Sequence, residues 1–404
     1  MDYAIPTKFF TDLTAYASTL INNPTLSKYI AFVPILLIAF LITFLLTPIM
    51  GKIAWSIGAT YKPRQKQKGK EFDNPEKAIH EKETPTLGGL AVTLPALLIT
   101  LLSFEINSFT APILIALGIL IIGATIDDIY NLDSRIQFGY QMLAALVIII
   151  SIIDLSEIGI IDNEILNLSA YTLRFNILNF PISIVFPGDI FLFFWLILCL
   201  NAVKWVGGSP GLIESYSNVI FMLIFVISIR TVSNFTATMS IAMSGSLLAF
   251  LFYAIPPEKI MSGSSGKSVY GFMLALLALI NDSKISTSIM LLGLPILDAI
   301  FVVIRRILIH KPKSIKELLK INDATHFHHR LLALNLSRLQ VLFIETSIAL
   351  LFGSLAIATT GAMRYFAVIF GLAILLLLIV IINNRANKKQ KEKEGKSPES
   401  KYSY

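Results

Sequence analysis

Residues 123–141 read GATIDDIYNLDSRIQFGYQ, and this stretch decides how the rest of the chain is read. It begins inside an apolar run, Ala111 to Ile126, which with its flanks is long enough to cross a bilayer. Two adjacent carboxylates, Asp127 and Asp128, stand where that run ends. Polar residues and Arg135 follow, then a second apolar run from about Phe138 to Leu155. Carboxylates at such a point are costly unless they face water, a cation or a ligand. The plainer reading is a solvated helix end. The functional reading gains weight because other polar clusters reach the same side of the membrane.

Composition agrees with a membrane protein. The chain has 404 residues, 55% hydrophobic and 15% charged, with a mean hydropathy of +0.73. These values exclude an ordinary soluble domain. The single cysteine, Cys199, lies in an apolar run, so no internal disulfide framework exists. The first residues, MDYAIPTKFF, lack the basic segment and short apolar core of a cleaved signal peptide.

Apolar windows predict an all-α, polytopic fold of about eleven spanning helices. They lie near 29–50, 87–106, 111–130, 138–155, 189–206, 212–232, 236–255, 268–281, 285–308, 339–358 and 364–383. Residues 1–28 form an N-terminal segment outside the membrane. Residues 29–383 form the membrane domain, and 384–404 a charged tail expected to be disordered. Between 156 and 188, β-branched and aromatic residues suggest a small external hairpin. No internal repeat of the transporter kind is visible.

Basic residues set the expected orientation. Lys62, Arg64, Lys66, Lys68, Lys70, Lys77 and Lys82 follow the first span. Lys311, Lys313, Lys316, Lys320 and Arg330 follow the ninth, and Arg385, Lys388, Lys389, Lys391, Lys393 and Lys396 the last. With eleven spans these segments share one side, which the positive-inside rule makes cytoplasmic. The N-terminus is then outside and the C-terminus inside.

Five features fall on that inner side. His80 to Leu90, HEKETPTLGGL, places Gly88 and Gly89 where backbones can approach closely. The second is the Asp127-Asp128 pair. The third, Asn201 to Leu212, NAVKWVGGSPGL, reads as a tight turn between spans, with Lys204 unusually near the membrane. The fourth, Pro256 to Phe272, contains GSSGKS. It is not a P-loop, because position 261 is Met and no strand precedes it. A Gly/Ser-rich loop with Lys267 ahead of a helix can still hold an anion through backbone N–H groups. The fifth, Asp323 to Leu332, DATHFHHRLL, gathers three of the five histidines: His326, His328 and His329, with Arg330 beside them. Their spacing misses the His-x-x-x-His zinc pattern, so phosphate fits better than zinc. Asp298, inside a span, requires an internal partner, and Arg305 lies seven residues on, on the same helix face.

These pieces in this order resemble the polyprenyl-phosphate N-acetylhexosamine-1-phosphate transferase family of bacterial envelope synthesis. The resemblance runs from the first span to the histidine loop. It rests on His80, Pro85 and Gly88-Gly89, then Asp127-Asp128 with Asn131-Leu132. It continues through Asn201-Ala202-Val203, Gly211-Leu212, Pro256-Pro257, Gly271-Phe272, Pro295 to Asp298, Arg305-Arg306 and His326 to Leu331. The departures cluster. The family's N-x-x-N-hydrophobic-x-D-G-x-D-G-L loop has Lys204, Gly207 and Pro210 here in place of its second Asn and two Asp. Its G-D-x-G-S loop has Ser264 for the Asp and Lys267 for the final Ser. That Asp is the expected Mg²⁺ ligand of the family.

The resemblance implies transfer of a sugar 1-phosphate from a UDP-N-acetylhexosamine to a polyprenyl phosphate, with release of UMP. Asp127 or Asp128 would take a remaining proton from the lipid phosphate. His80, Asn201, Lys204, Lys267, His326, His328, His329 and Arg330 would hold the phosphates. Mg²⁺ is the implied cofactor, weakened by Ser264, and no metal ligand set is legible. The partners implied are the membrane and the two substrates, with a homodimer compatible and no nucleic acid. A family member that only binds lipid phosphate, nucleotide-sugar or a partner is the alternative, and an unrelated transporter ranks below both. The departures all remove negative charge or add positive charge, which suggests that lysines replace part of the metal's task.

Overall fold

A computed structural model describes residues 4–19, 23–61, 82–151, 171–177, 180–280, 285–314, 317–318, 321 and 325–394. His80 and most of the first basic loop lie outside the described residues, as do Lys316 and Lys320.

The chain is a bundle of apolar helices. Two short helices, α1 (Lys8–Ser18) and α2 (Pro24–Ile30), lead into α3 (Val33–Ile57). A two-residue ladder joins β1 (Thr60–Tyr61) to β2 (Thr84–Pro85). Then come α4 (Gly88–Ser103), α5 (Thr110–Tyr130) and α6 (Ser134–Ile149). The expected hairpin is present as β3 (Tyr171–Ile177) paired antiparallel with β4 (Phe180–Phe186). Five more helices follow: α7 (Gly188–Val206), α8 (Leu212–Thr231), α9 (Asn234–Ala254), α10 (Gly263–Leu279) and α11 (Ile285–His310). The short α12 (Phe327–Ala333) carries the histidines, and α13 (Arg338–Ala358) and α14 (Gly361–Glu394) close the chain.

Each of the eleven apolar windows corresponds to one helix. Among the described residues, eight spans are long and apolar enough to cross a membrane by length and composition, the first of them combining α2 and α3. The other three windows correspond to α4, α6 and α10, which are shorter. Two boundaries differ from expectation. Helix α10 starts at Gly263, so GSSGKS forms its first turns and not a loop ahead of it. Helix α14 runs on to Glu394, through residues expected to be a disordered tail. Residues 384–394 contain good helix formers and no Gly or Pro, so the preceding span propagates through them.

Small residues decide which helices lie inside. Helix α9 carries Ala237, Ser240, Ala242, Ser244, Gly245 and Ser246, all buried. A Cβ on Gly245 would stand 2.4 Å from the Leu36 carbonyl of α3. Lipid tails give helices no hydrophobic drive to associate, so close backbone approach supplies the packing energy instead. The outer helix α14 shows the opposite composition. Phe366, Ile369 and Phe370 are 74%, 70% and 70% exposed, which suits a lipid-facing surface.

Helix α4 locks onto the start of α10. The Gly88 and Gly89 amides donate to Met261 O and Ser262 O, each at 2.9 Å. A Cβ on Gly89 would lie 2.0 Å from Gly266 N and 2.5 Å from Ser262 O, both backbone atoms that cannot turn aside. The close approach expected at these glycines is therefore present. Gly89→Ala should overpack this crossing and cost about 1–3 kcal/mol, toward the upper end. Gly118→Ala on α5, which meets open space, should leave stability unchanged or raised. Thermal unfolding midpoints in detergent check the contrast, and equal midpoints would contradict it.

Candidate active site

The site is assembled at one end of the bundle, where α5 and α7 finish and α8 and α10 begin. Neither carboxylate of α5 is merely solvated. Asp127 is 6% exposed. Its Oδ1 accepts from Leu132 N at 2.8 Å and from Gln137 Nε2 at 3.0 Å. Asn131 closes the helix in the left-handed region (φ 52), a conformation asparagine tolerates well, and this turn brings Leu132 and α6 back under the carboxylate. Asp127 Oδ2 makes no hydrogen bond to the described residues.

Asp128 points the other way. Its Oδ1 accepts from Ser264 N at 2.5 Å and its Oδ2 from Ser265 N at 3.0 Å. The backbone amides of the Gly/Ser-rich stretch, expected to be open to a ligand anion, are taken here by a carboxylate of the chain itself. Asp128 acts as the cap that α10 lacks locally, because the Ser262 side chain at its N-cap makes no capping bond. Gly263 must stay bare for this, since it has φ 63 and a Cβ there would meet Asp128 Oδ1 and Oδ2 at 2.5 Å.

The lysines complete the cluster. Lys204, in the last turn of α7, donates from Nζ to Gln137 Oε1 at 2.8 Å. Gln137 therefore bridges the ammonium to Asp127. Asn201, one turn earlier on the same face, donates to Gln141 Oε1 at 2.9 Å. Lys267 donates from Nζ to Gly207 O at 2.7 Å. Its stem lies over Gly207, where a Cβ would stand 2.7 Å from Cε and 2.9 Å from Cδ. Glu214, in the first turn of α8, is buried and accepts from Ser262 Oγ. It lines a cavity with Ser209, Ser262 and Lys267.

The histidine helix is held by Asp298. That carboxylate faces His326 Nδ1 at 2.8 Å and accepts from Phe327 N at 2.9 Å. It anchors α12 as Asp128 anchors α10. Sequence spacing pointed to Arg305 as its partner, whereas these two partners lie on the histidine loop. His326 also packs on Trp205, with ring centroids 5.3 Å apart. His328 reaches the α7–α8 turn, because a Cβ on Gly208 would meet its Nε2 at 2.3 Å. Arg330 donates to Asn387 Oδ1 at 3.0 Å on the extended part of α14. Apart from His80, the structure brings every sequence-selected residue to this end. Gln137, Gln141 and Glu214 were not singled out by sequence. Glu214 was detectable as a carboxylate opening an apolar run; the two glutamines, one turn apart after the carboxylate pair, gave only a faint signal.

The profile of glycosyl transferase family 4 matches residues 109–282, which contain the carboxylates, both lysines and the α7–α8 turn. A relative in Bacillus subtilis (strain 168), named probable undecaprenyl-phosphate N-acetylglucosaminyl 1-phosphate transferase, is 27% identical over 376 residues. That alignment covers 90% of this chain and 95% of the relative. The decaprenyl-phosphate N-acetylglucosaminephosphotransferase of Mycobacterium leprae (strain TN) is 25% identical, over 76% of this chain and 78% of its own. A phospho-N-acetylmuramoyl-pentapeptide-transferase of Staphylococcus carnosus (strain TM300) is 26% identical, over 62% and 76%. Over residues 109–282 the chain is similar to glycosyl transferase family 4.

The residues present do not make the oxygen cage a hard divalent cation needs. Among the described residues no group of three His, Cys, Asp or Glu side chains converges as a metal ligand set. Both Asp128 oxygens already accept backbone amides, position 264 is Ser, and two ammonium groups stand beside the carboxylates.

The histidine helix is a neutral surface at His328. Burial pushes its imidazole well below the ordinary range, and His329, His326 and Lys267 push the same way. The unfolded chain binds a proton near about pH 6.5 that the folded site refuses. Stability from this residue is therefore present above that range and falls as the pH drops through it. Between about pH 7.5 and pH 5.5, His328→Gln should lose less of its thermal midpoint than wild type. Equal losses in the two proteins would remove His328 as the source.

Proposed function

We propose that this membrane protein transfers an N-acetylhexosamine 1-phosphate from a UDP-sugar to a polyprenyl phosphate at the cytoplasmic face of the plasma membrane. The supporting observation is the gathering of Asp127, Lys204, Lys267 and the histidine helix at the end of an otherwise apolar bundle. The relatives' names point to the same lipid-phosphate chemistry. In the reaction an oxygen of the lipid phosphate bonds to the phosphorus of the sugar 1-phosphate. The bond from that phosphorus to the UMP oxygen breaks, and UMP leaves with the electron pair.

The chain's residues divide this work. Asp127 has an oxygen free of hydrogen bonds and is held in place by Leu132 and Gln137, so it is the group to accept any proton left on the attacking phosphate. Asp128 is a positioning residue that keeps the start of α10 against α5. The ammonium groups lower the repulsion between two anionic reactants, the largest obstacle to their approach. Apolar helix faces around the cluster suit the polyprenyl chain.

Two measurements test this reading. Purified protein with polyprenyl phosphate and UDP-N-acetylhexosamine should release UMP, and Asp127→Asn should lower turnover by about 10²-fold. Asp128→Asn should instead show a lowered thermal midpoint, by about 1–2 kcal/mol of stability, through loss of the cap. Absent UMP release by wild type, or unchanged turnover in Asp127→Asn, would sink the proposal. The basic segments also call for a cytoplasmic C-terminus and an outside N-terminus. A reporter fused after Tyr404 should be active only in the cytoplasm; activity only outside would reverse the orientation.

A further inference from the structure

We propose that the fixed ammonium groups of Lys204 and Lys267, and not a bound divalent metal ion, supply the positive charge this site offers to phosphate. The inference rests on the transferase reading and names how the chain meets its anionic ligands.

The geometry supports it in four ways. First, each ammonium is held in place by a neutral oxygen of the chain. Lys204 Nζ rests on the Gln137 amide oxygen at 2.8 Å, and Lys267 Nζ on the Gly207 carbonyl at 2.7 Å. Lys204 spends one of its three donors this way. Second, Lys204 stands beside the residue best placed to act on the attacking phosphate. Gln137 joins the Lys204 ammonium to Asp127 through one amide group, so cation and carboxylate are positioned together.

Third, positions 207 and 267 depend on each other. The Lys267 stem occupies the volume any side chain at 207 would need. A carboxylate at 207 and a lysine at 267 in this rotamer are mutually exclusive, so the bare glycine is a condition for the ammonium. Fourth, among the described residues the ligand set for a metal is absent where the ammoniums stand. Asp128 gives its two oxygens to Ser264 N and Ser265 N, and Ser264 presents a backbone amide there instead of a carboxylate. A dication entering this cluster would face two ammoniums within electrostatic reach of each other.

An ammonium is a point charge with three donors and suits phosphate oxygens of any orientation. It is present at every ionic composition and needs no loading. Phosphate binding should therefore be insensitive to chelators. The purified full chain in detergent would be titrated with polyprenyl phosphate, and separately with a UDP-N-acetylhexosamine, in EDTA and in excess MgCl₂. The expected result is an affinity for at least one ligand that changes less than about twofold between buffers, well under the size of a lost charge-assisted contact. Lys204→Met and Lys267→Met should each weaken that binding by about tenfold or more in EDTA. Lys204→Arg and Lys267→Arg, which keep the charge, should recover most of it. Binding by wild type that vanishes in EDTA and returns with Mg²⁺ would overturn the inference, and this comparison needs no variant to fold. Normal binding by both Met variants would overturn it equally. Failure of both ligands to bind in both buffers would overturn the transferase reading itself, and the inference with it.

Discussion

The contact between Asp128 and the amides of Ser264 and Ser265 organises this end of the molecule. It joins residues more than a hundred positions apart and gives α10 an N-terminus that its own sequence does not cap. Four amides at a helix start need acceptors, and in a membrane protein water cannot be assumed to supply them. Asp128 supplies charge as well as acceptors, and the positive end of the helix favours both. Once α10 starts at Gly263, Lys267 falls one turn in, its stem crosses Gly207, and Gly266 meets Gly89 of α4. The positions of α4, α5, α7 and α10 at the site therefore share one electrostatic restraint.

The architecture was largely legible in the sequence because a bilayer imposes a length. A run of apolar residues long enough to cross it has few other uses, and each such window became a helix. The hairpin at 171–186 was legible from its β-branched and aromatic residues. The start of α10 was not. Gly and Ser are poor helix formers, so GSSGKS reads locally as a loop. Its helical state depends on a cap contributed from residue 128, a fact no local window contains. The continuation of α14 was hidden for the opposite reason. Its charged residues suggested disorder, yet Arg330 and Leu334 of the histidine region hold Asn387 and Lys389 and give that stretch tertiary partners.

The site was legible in its charged members and blank in its neutral ones. Carboxylates, lysines and histidines at the ends of apolar runs advertise themselves by their cost. Gln137 and Gln141 carry no charge and sit in the mixed first turns of α6. Their role comes from the hydrogen bonds they pass between helices, which only packing reveals. The sequence left open the division of labour inside the aspartate pair. Adjacent residues on a helix point about 100° apart, so one carboxylate could stay with its own C-terminal turn while the other crossed to α10. A single sequence feature thus became one carboxylate held by Leu132 and Gln137 and one structural cap.

Charge placement at the site follows the helix ends. Asp128 and Glu214 sit at the starts of α10 and α8, where the backbone presents positive potential, and Lys204 sits in the last turn of α7, where it is negative. Each of these groups faces the helix end that suits its sign before any ligand arrives. Lys267 is the exception, since it lies near a helix start that disfavours a cation, and it is the one whose ammonium is drawn away to a carbonyl of the preceding turn, Gly207. That carbonyl closes the C-terminal end of α7, so the ammonium exchanges the wrong end of one helix for the right end of another. The exchange is sterically open only because residue 207 lacks a side chain. An aspartate there would both block the lysine and place a carboxylate at the negative end of α7, a position that needs a strong counter-cation. Glycine at 207 and lysine at 267 remove that need together, which is why the two departures from the family pattern form one physical change.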